Sequence, residues 1–162
     1  MIPDETIRLN AYDEGQLPKH GWIEITVVAD PDPVTAIERT KAVVRVVCDA
    51  RSQPTWPAAE WWNRELPIWF RRSFDRSPSD VAGDDRVFSY ESWIAALPTV
   101  GWEWWSTDAS GPDWFVNLVA TSEFVILEPL LYVIWTATGP AEGISISYRE
   151  YWLRGAPRIH FT

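Results

Sequence analysis

The side chains that most often carry enzyme chemistry are few in this chain and lie far apart in its sequence. The two histidines are His20 and His160, and the one cysteine is Cys48. None of them has a second histidine or cysteine at the spacing of a metal site, and no serine or cysteine has a histidine base placed near it. The motifs GxSxG, GxGxxG and HExxH and the phosphate-binding loop pattern do not occur. The sequence therefore predicts no cofactor and no metal site.

A group of carboxylates beside tryptophans offers the remaining route to catalysis. Glu103, Asp108 and Asp113 bracket a hairpin-like region. Two acids in an aromatic-lined groove are what a glycoside hydrolase uses. Acids in a hairpin turn are more commonly solvated. A carbohydrate- or small-molecule-binding domain, with or without hydrolase activity, is therefore kept as the alternative to a non-catalytic protein. The tryptophans of this region are Trp102, Trp104, Trp105 and Trp114.

Tryptophan is the most unusual component of the chain, at 12 of its 162 residues. This side chain is strongly buried on average and is enriched where proteins bind each other. Neighbours on a strand point to opposite faces, so we expect one of Trp104 and Trp105 at the surface. With the acids around them they form the predicted partner-binding site, in which no residue is assigned a catalytic role. Its members are Glu103, Trp104, Trp105, Asp108 and Asp113.

The charge of the chain restricts the class of partner. Its net charge is −9 at pH 7 and its isoelectric point is about 4.6. An excess of carboxylates repels phosphate, which argues against a nucleic-acid partner and for a cationic one. With one cysteine no intramolecular disulfide can form, and Cys48 follows an apolar run, so we expect a buried structural thiol.

Neither the first residues nor the longest apolar stretch predicts a membrane or a secretory segment. The chain begins without the basic and apolar regions of a signal peptide. The apolar stretch 124–137 is interrupted by Glu128 and Pro129 and is too short to cross a bilayer. We therefore expect a cytoplasmic protein with no membrane partner.

Local patterns predict a single α+β domain over residues 1–162, with a mostly antiparallel sheet and helices packed on one face. Alternation of apolar and polar residues predicts strands. Asp32 and Pro33 are a helix-start signal, Pro67 is expected to break a helix near Leu66, and Ser89 is a predicted cap. The predicted strands are 21–28, 101–106, 114–120, 144–149 and 158–161. The predicted helices are 33–48, with a strand as the alternative for its β-branched second half, 57–72 with its break, a short one after Ser89, and 127–138 ended by Gly139-Pro140.

In general character the chain resembles the bacterial toxin-immunity proteins, small cytosolic antidotes to secreted or contact-delivered toxins. The resemblance lies in size, acidity, the single cysteine and the tryptophan-rich α+β pattern, including the stretches 101–105 and 114–119 and the helix that ends at Thr138-Gly139. It extends over the whole chain and includes no signature motif. It implies a protein that is monomeric or homodimeric alone and neutralises a cationic toxin by covering its active surface. A subunit of a larger assembly is a third interpretation.

Overall fold

A computed structural model of the chain describes residues 4–11, 18, 20–75, 88–138, 141–148 and 159–161. These residues form six α-helices, a short 3₁₀ turn and five strands. The helices are α1 (Glu5–Ala11), α2 (Pro33–Arg51), α3 (Ala59–Glu65), α4 (Ile68–Arg72), α5 (Tyr90–Ala96) and α6 (Glu128–Ala137), and the 3₁₀ turn is Leu97–Thr99. The strands are β1 (Trp22–Val28), β2 (Trp102–Ser110), β3 (Asp113–Ala120), β4 (Gly143–Tyr148) and β5 (Ile159–Phe161).

The five strands form one sheet in the order β2-β3-β1-β4-β5, and each neighbouring pair is antiparallel. In the central strand β1, Ile23, Ile25 and Val27 are fully buried, while the residues between them are half-buried. This alternation puts one face of the sheet against the core. The predicted α+β class, with an antiparallel sheet and helices packed on it, is confirmed.

The helices pack in two layers on the same face of the sheet. One side of α2 and α6 joins the core of the sheet through residues such as Val44 and Ile134. Their other side joins a second apolar cluster, to which Val43 and Tyr132 belong. That cluster is built largely from the aromatic side chains of α3, α4 and α5, among them Trp62, Phe70 and Trp93. Much of the tryptophan content thus fills the space between the two helical layers.

Three local predictions about the helices are confirmed. The Asp32 carboxylate accepts the backbone N–H of Thr35 and caps α2, in which Pro33 is the first residue. Pro67 separates α3 from α4, since a proline interrupts the helical hydrogen bonding. The Ser89 hydroxyl accepts the backbone N–H of Ser92 and caps α5.

Two features differ from the prediction. The helix α1 was not predicted, because seven residues show too little periodicity to be recognised. The strand β2 continues to Ser110 and contains a bulge between Trp104 and Ser106, so that the turn to β3 consists of Gly111 and Pro112 only. Three predicted positions lie outside the described residues: the helix stop at Gly139-Pro140, residue 149 of the fourth predicted strand and residue 158 of the last one.

Candidate functional site

The helix α1 covers part of the free edge of the sheet. Because β2 is an edge strand, the outward backbone groups of Trp104 have no strand to pair with. The Glu5 carboxylate accepts the N–H of Trp104 at 2.8 Å, and Nε of Arg8 donates to the carbonyl oxygen of Trp104 at 3.0 Å. Two side chains of one helix thus satisfy both backbone groups of this edge residue.

The same contacts bury the charges of α1. Arg8 also donates to the Glu103 carboxylate at 2.8 Å, and its guanidinium carbon lies 4.9 Å from the centroid of the Trp105 ring. Arg51, at the end of α2, forms an ion pair with Glu5 at 2.8 Å. Arg8 is 3 % exposed and needs such partners, because a buried charge without a partner costs several kcal/mol of folding free energy. The contact between α1 and the edge of β2 is therefore structural, since its charged side chains are paired with one another and with the backbone of Trp104.

The structure places the five predicted site residues in three different environments. Trp104 and Trp105 are 0 % and 8 % exposed, so the prediction that one of the pair lies at the surface is wrong. The bulge adds a residue to β2 at this point, which changes the simple alternation of faces. Glu103 is 42 % exposed at its side chain, and Asp108 is exposed. Asp113 is half-buried, and its Oδ1 accepts the N–H of Ala29 at 2.9 Å.

The face of the sheet opposite the core brings together three of the predicted acids and one that was not predicted. Residues directly paired across antiparallel strands share a face. Glu103 pairs with Val119, Asp108 with Phe115, and Glu24 with Asn117. Asp113 is also on this face, since the next residue, Trp114, belongs to the core. We call this the outer face; its half-buried apolar residues include Trp22, Val28, Phe115 and Val119.

A chain of hydrogen bonds fixes the middle of the outer face. Nε1 of Trp22 donates to the Asn117 side-chain oxygen at 2.9 Å, and Nδ2 of Asn117 donates to the hydroxyl of Ser106 at 3.1 Å. These three residues lie on β1, β3 and β2, so the chain crosses three strands. Asn117 and Ser106 are 3 % and 1 % exposed, so the network is closed to solvent, and it binds the half-buried Trp22 ring through its Nε1 atom.

Charge is unevenly distributed between the strands and the helices. The described strands contain four carboxylates, all on the outer face, and no lysine or arginine. Every lysine and arginine that the structure describes lies in a helix: Arg8, Arg39, Lys41, Arg45, Arg51, Arg64, Arg71 and Arg72. The described strands therefore contribute only negative charge to the outer face, and Arg8, at the edge of β2, offsets that of Glu103.

The sequence analysis did not assign three residues of this face to the candidate site: Trp22, Glu24 and Phe115. The alternation in β1 was enough to place Trp22 and Glu24 on one face of their strand. It contained no information about which strand lies beside β1. The pairing of β1 with β3 is what brings Trp22 to Val119 and Glu24 to Asn117.

The described residues offer little for metal or nucleophilic chemistry. They contain no group of three or more His, Cys, Asp or Glu side chains that could hold a metal ion. Burial, followed by the nearby charge of Glu5, raises the pKa of the Cys48 thiol, so the neutral thiol predominates. The indoles of the predicted hydrolase region are at most 8 % exposed and offer little ring face for a sugar to stack on; they are Trp102, Trp104, Trp105 and Trp114.

Comparison with known proteins gives no relative: no protein family, curated protein or solved structure matches the chain. No helix among the described residues is long and apolar enough to cross a membrane.

Proposed function

We propose that this chain is a non-catalytic binding protein that holds a cationic protein on the outer face of its sheet. The observation that carries the proposal is the separation of charge, since the described strands carry four carboxylates and no lysine or arginine. Like-charged groups gathered on one face attract an oppositely charged partner over several ångströms and speed its encounter. A cationic protein is the partner that this face fits.

The outer face combines the two kinds of group that a protein interface needs. Exposed Asp108 supplies charge at β2, where partly exposed Glu103 also pairs with Arg8. The half-buried Trp22 and Phe115 supply ring surface on the neighbouring strands. Charges at an interface act mainly on the association rate. Aromatic anchors that lose their remaining solvent on binding act mainly on the dissociation rate. The rings and carboxylates sit on paired strands, so little has to be ordered when the partner binds.

The class of partner that we propose is a bacterial toxin. The proposal rests on the resemblance to toxin-immunity proteins together with the acidic face, and it places the chain in the cytoplasm. In this role the chain would neutralise the toxin by covering its active surface, and its carboxylates would occupy cationic side chains that otherwise contact the toxin's substrate. No residue of the chain has to react.

The test compares two variants of equal net charge. The outer-face variant carries Glu24→Gln, Glu103→Gln and Asp108→Asn, and the helix variant carries Glu38→Gln, Glu60→Gln and Glu91→Gln, three exposed positions. Each is used, beside the unmodified chain, to capture proteins from a bacterial lysate at low salt for mass spectrometry. We expect the unmodified chain and the helix variant to retain one cationic protein that the outer-face variant loses.

The recovered protein then tests the toxin proposal. Expressed alone it should arrest growth, and co-expression of the unmodified chain, but not of the outer-face variant, should restore growth. Equal capture by all three chains, or no cationic protein captured by any, would contradict the proposed binding face. Capture of a harmless cationic protein would keep the binding face and refute the toxin.

A further inference from the structure

Two of the six large exposed apolar side chains of the described residues lie close together in one loop. Four of the six large ones, Ile7, Val34, Ile68 and Trp135, lie singly on four different helices. The other two, Phe124 at 79 % and Ile126 at 38 % exposure, are separated by one residue between β3 and α6. Singly scattered apolar residues are normal on a protein surface, whereas apolar residues that form one exposed patch are typical of interaction sites.

This loop is held rigidly against the start of β2. The N–H of Thr121 donates to the carbonyl oxygen of Gly101, and the N–H of Ile126 donates to that of Val100, both at 2.8 Å. The indole Nε1 of Trp102 donates to the carbonyl oxygen of Ile126 at 2.8 Å. The loop therefore presents Phe124 from a fixed backbone, and binding against it would cost little conformational entropy.

Gly101 allows the loop to lie this close. Its φ angle is +72°, in the left-handed region, and a Cβ atom built on it would lie 2.0 Å from the carbonyl oxygen of Phe124. Any larger residue would have to push this part of the loop away. The position of Phe124 thus depends on a residue that does not contact its ring.

The charge around the loop has one sign. Glu123 and Glu128 are exposed and flank Phe124, and residues 121–128 contain no lysine or arginine. The loop leaves β3 after Ala120, whose strand partner is Trp102, so it begins at the end of the sheet where Glu103 lies. The acidic rim of the loop therefore lies near Glu103, whereas Asp108 and Asp113 lie towards the opposite end of β2 and β3.

We infer that Phe124 is the apolar anchor through which this chain binds its cationic partner, and that the partner has an apolar pocket surrounded by lysine or arginine side chains. The inference rests on the proposed function and adds to it the chemistry of the partner's surface. An exposed ring on a rigid loop, bordered by carboxylates, fits such a pocket better than a purely charged surface. Ile126 extends the same apolar contact.

The test uses two defined peptides of equal charge, Lys-Leu-Leu-Lys-Leu-Leu-Lys and Lys-Ser-Ser-Lys-Ser-Ser-Lys, titrated into the full chain at low salt. We expect the leucine peptide to bind about tenfold more tightly than the serine peptide, since it can bury apolar surface on Phe124. Phe124→Ser should bring the two affinities to within about twofold. Val34→Ser removes an apolar side chain on α2 that is 72 % exposed, close to the 79 % of Phe124. This variant should keep the tenfold difference between the two peptides.

The outcomes separate this inference from the proposed function. Equal binding of both peptides by the unmodified chain would overturn the role of Phe124 and leave the proposed acidic face unaffected. The same reduction of the affinity difference in Phe124→Ser and in Val34→Ser would have the same meaning. Binding of neither peptide, or a serine-peptide affinity unchanged in the outer-face variant, would overturn the proposed function. The thermal unfolding of Phe124→Ser and of Val34→Ser should match that of the unmodified chain, because both substituted side chains are solvent-exposed.

Discussion

The guanidinium group of Arg8 lies over the indole ring of Trp105, with its central carbon 4.9 Å from the ring centroid. The helix that carries Arg8 is seven residues long, and the strand that carries Trp105 is an edge strand. Arg8 covers the Trp105 ring, and β2 supplies a carboxylate and a carbonyl oxygen as partners for the Arg8 guanidinium. This relationship explains why Trp105, on a strand at the edge of the sheet, is only 8 % exposed.

Removing Arg8 should therefore destabilise the protein far more than neutralising its ion-pair partner. Arg8→Ala leaves the buried carbonyl oxygen of Trp104 without this donor and uncovers Trp105, at a cost of about 1–3 kcal/mol. Glu103→Gln keeps a hydrogen-bond acceptor for Arg8, which also keeps the carbonyl oxygen of Trp104 and the Trp105 ring, so its cost should be smaller. Urea unfolding of both variants gives the two free energies, and equal losses would contradict this account of the edge.

Two fully buried tryptophans should respond differently to the same substitution. Nε1 of Trp114 donates to the carboxylate of Asp30 at 3.0 Å, and Asp30 is 2 % exposed. Nε1 of Trp104 is buried and has no acceptor. Trp114→Phe therefore leaves a buried carboxylate oxygen without that donor, whereas Trp104→Phe removes an unsatisfied donor. We expect the first to cost about 1–3 kcal/mol more in the free energy of unfolding; an equal or smaller loss would refute the role of the Asp30 contact.

Two glycines with a positive φ angle form a matched pair. At Gly111, with φ +60°, an added Cβ meets no atom within 4 Å, so Gly111→Ala should cost only about 1–2 kcal/mol of backbone strain. At Gly101 the same strain is joined by a clash with the carbonyl oxygen of Phe124. Gly101→Ala should cost about 1–3 kcal/mol more. If chemical denaturation finds the two variants equally stable, the loop does not depend on Gly101.

The cap of α2 should make a pH-dependent contribution to stability. Hydrogen bonds from the side chain and then the backbone of Thr35 hold the pKa of Asp32 below its ordinary value of 3.8. The carboxylate is thus favoured in the folded state, and its contribution is present above pH 3.8 and lost as the pH falls through the lowered pKa. Asp32→Ala should be less stable than the unmodified chain near pH 6, and the difference should shrink below pH 3.8. A difference independent of pH would show that the charge is irrelevant to the cap.

The parts of the fold that could be predicted are those that a few neighbouring residues determine. Alternation in β1 and the helix signals at Asp32, Pro67 and Ser89 each act within one turn or strand, and all four are confirmed. The helix α1 is different, because seven residues are too short to be stable alone. Its stability comes from contacts with Trp104 and Arg51, which lie far away in the sequence.

The candidate site was predicted only in part, for a related reason. The acids Glu103 and Asp108 were assigned to it from their position beside tryptophans, and they do share the outer face. One of Trp104 and Trp105 was expected at the surface because strict alternation was assumed, and a bulge has no reliable sequence signal. Glu24 joined the face only when the sheet order placed β1 next to β3, and strand order is a property of the whole chain.

The most direct test of the acidic binding face is a map of backbone amide shifts during titration with Lys-Ser-Ser-Lys-Ser-Ser-Lys, whose serines leave charge as the dominant attraction. The account predicts that the largest shifts fall in β1, β2 and β3, and that about 1 M salt, with a screening length of about 3 Å, reverses them. Shifts centred instead on α2, α3 and α5, where Glu38, Glu60 and Glu91 lie, or shifts that survive the salt, would contradict it.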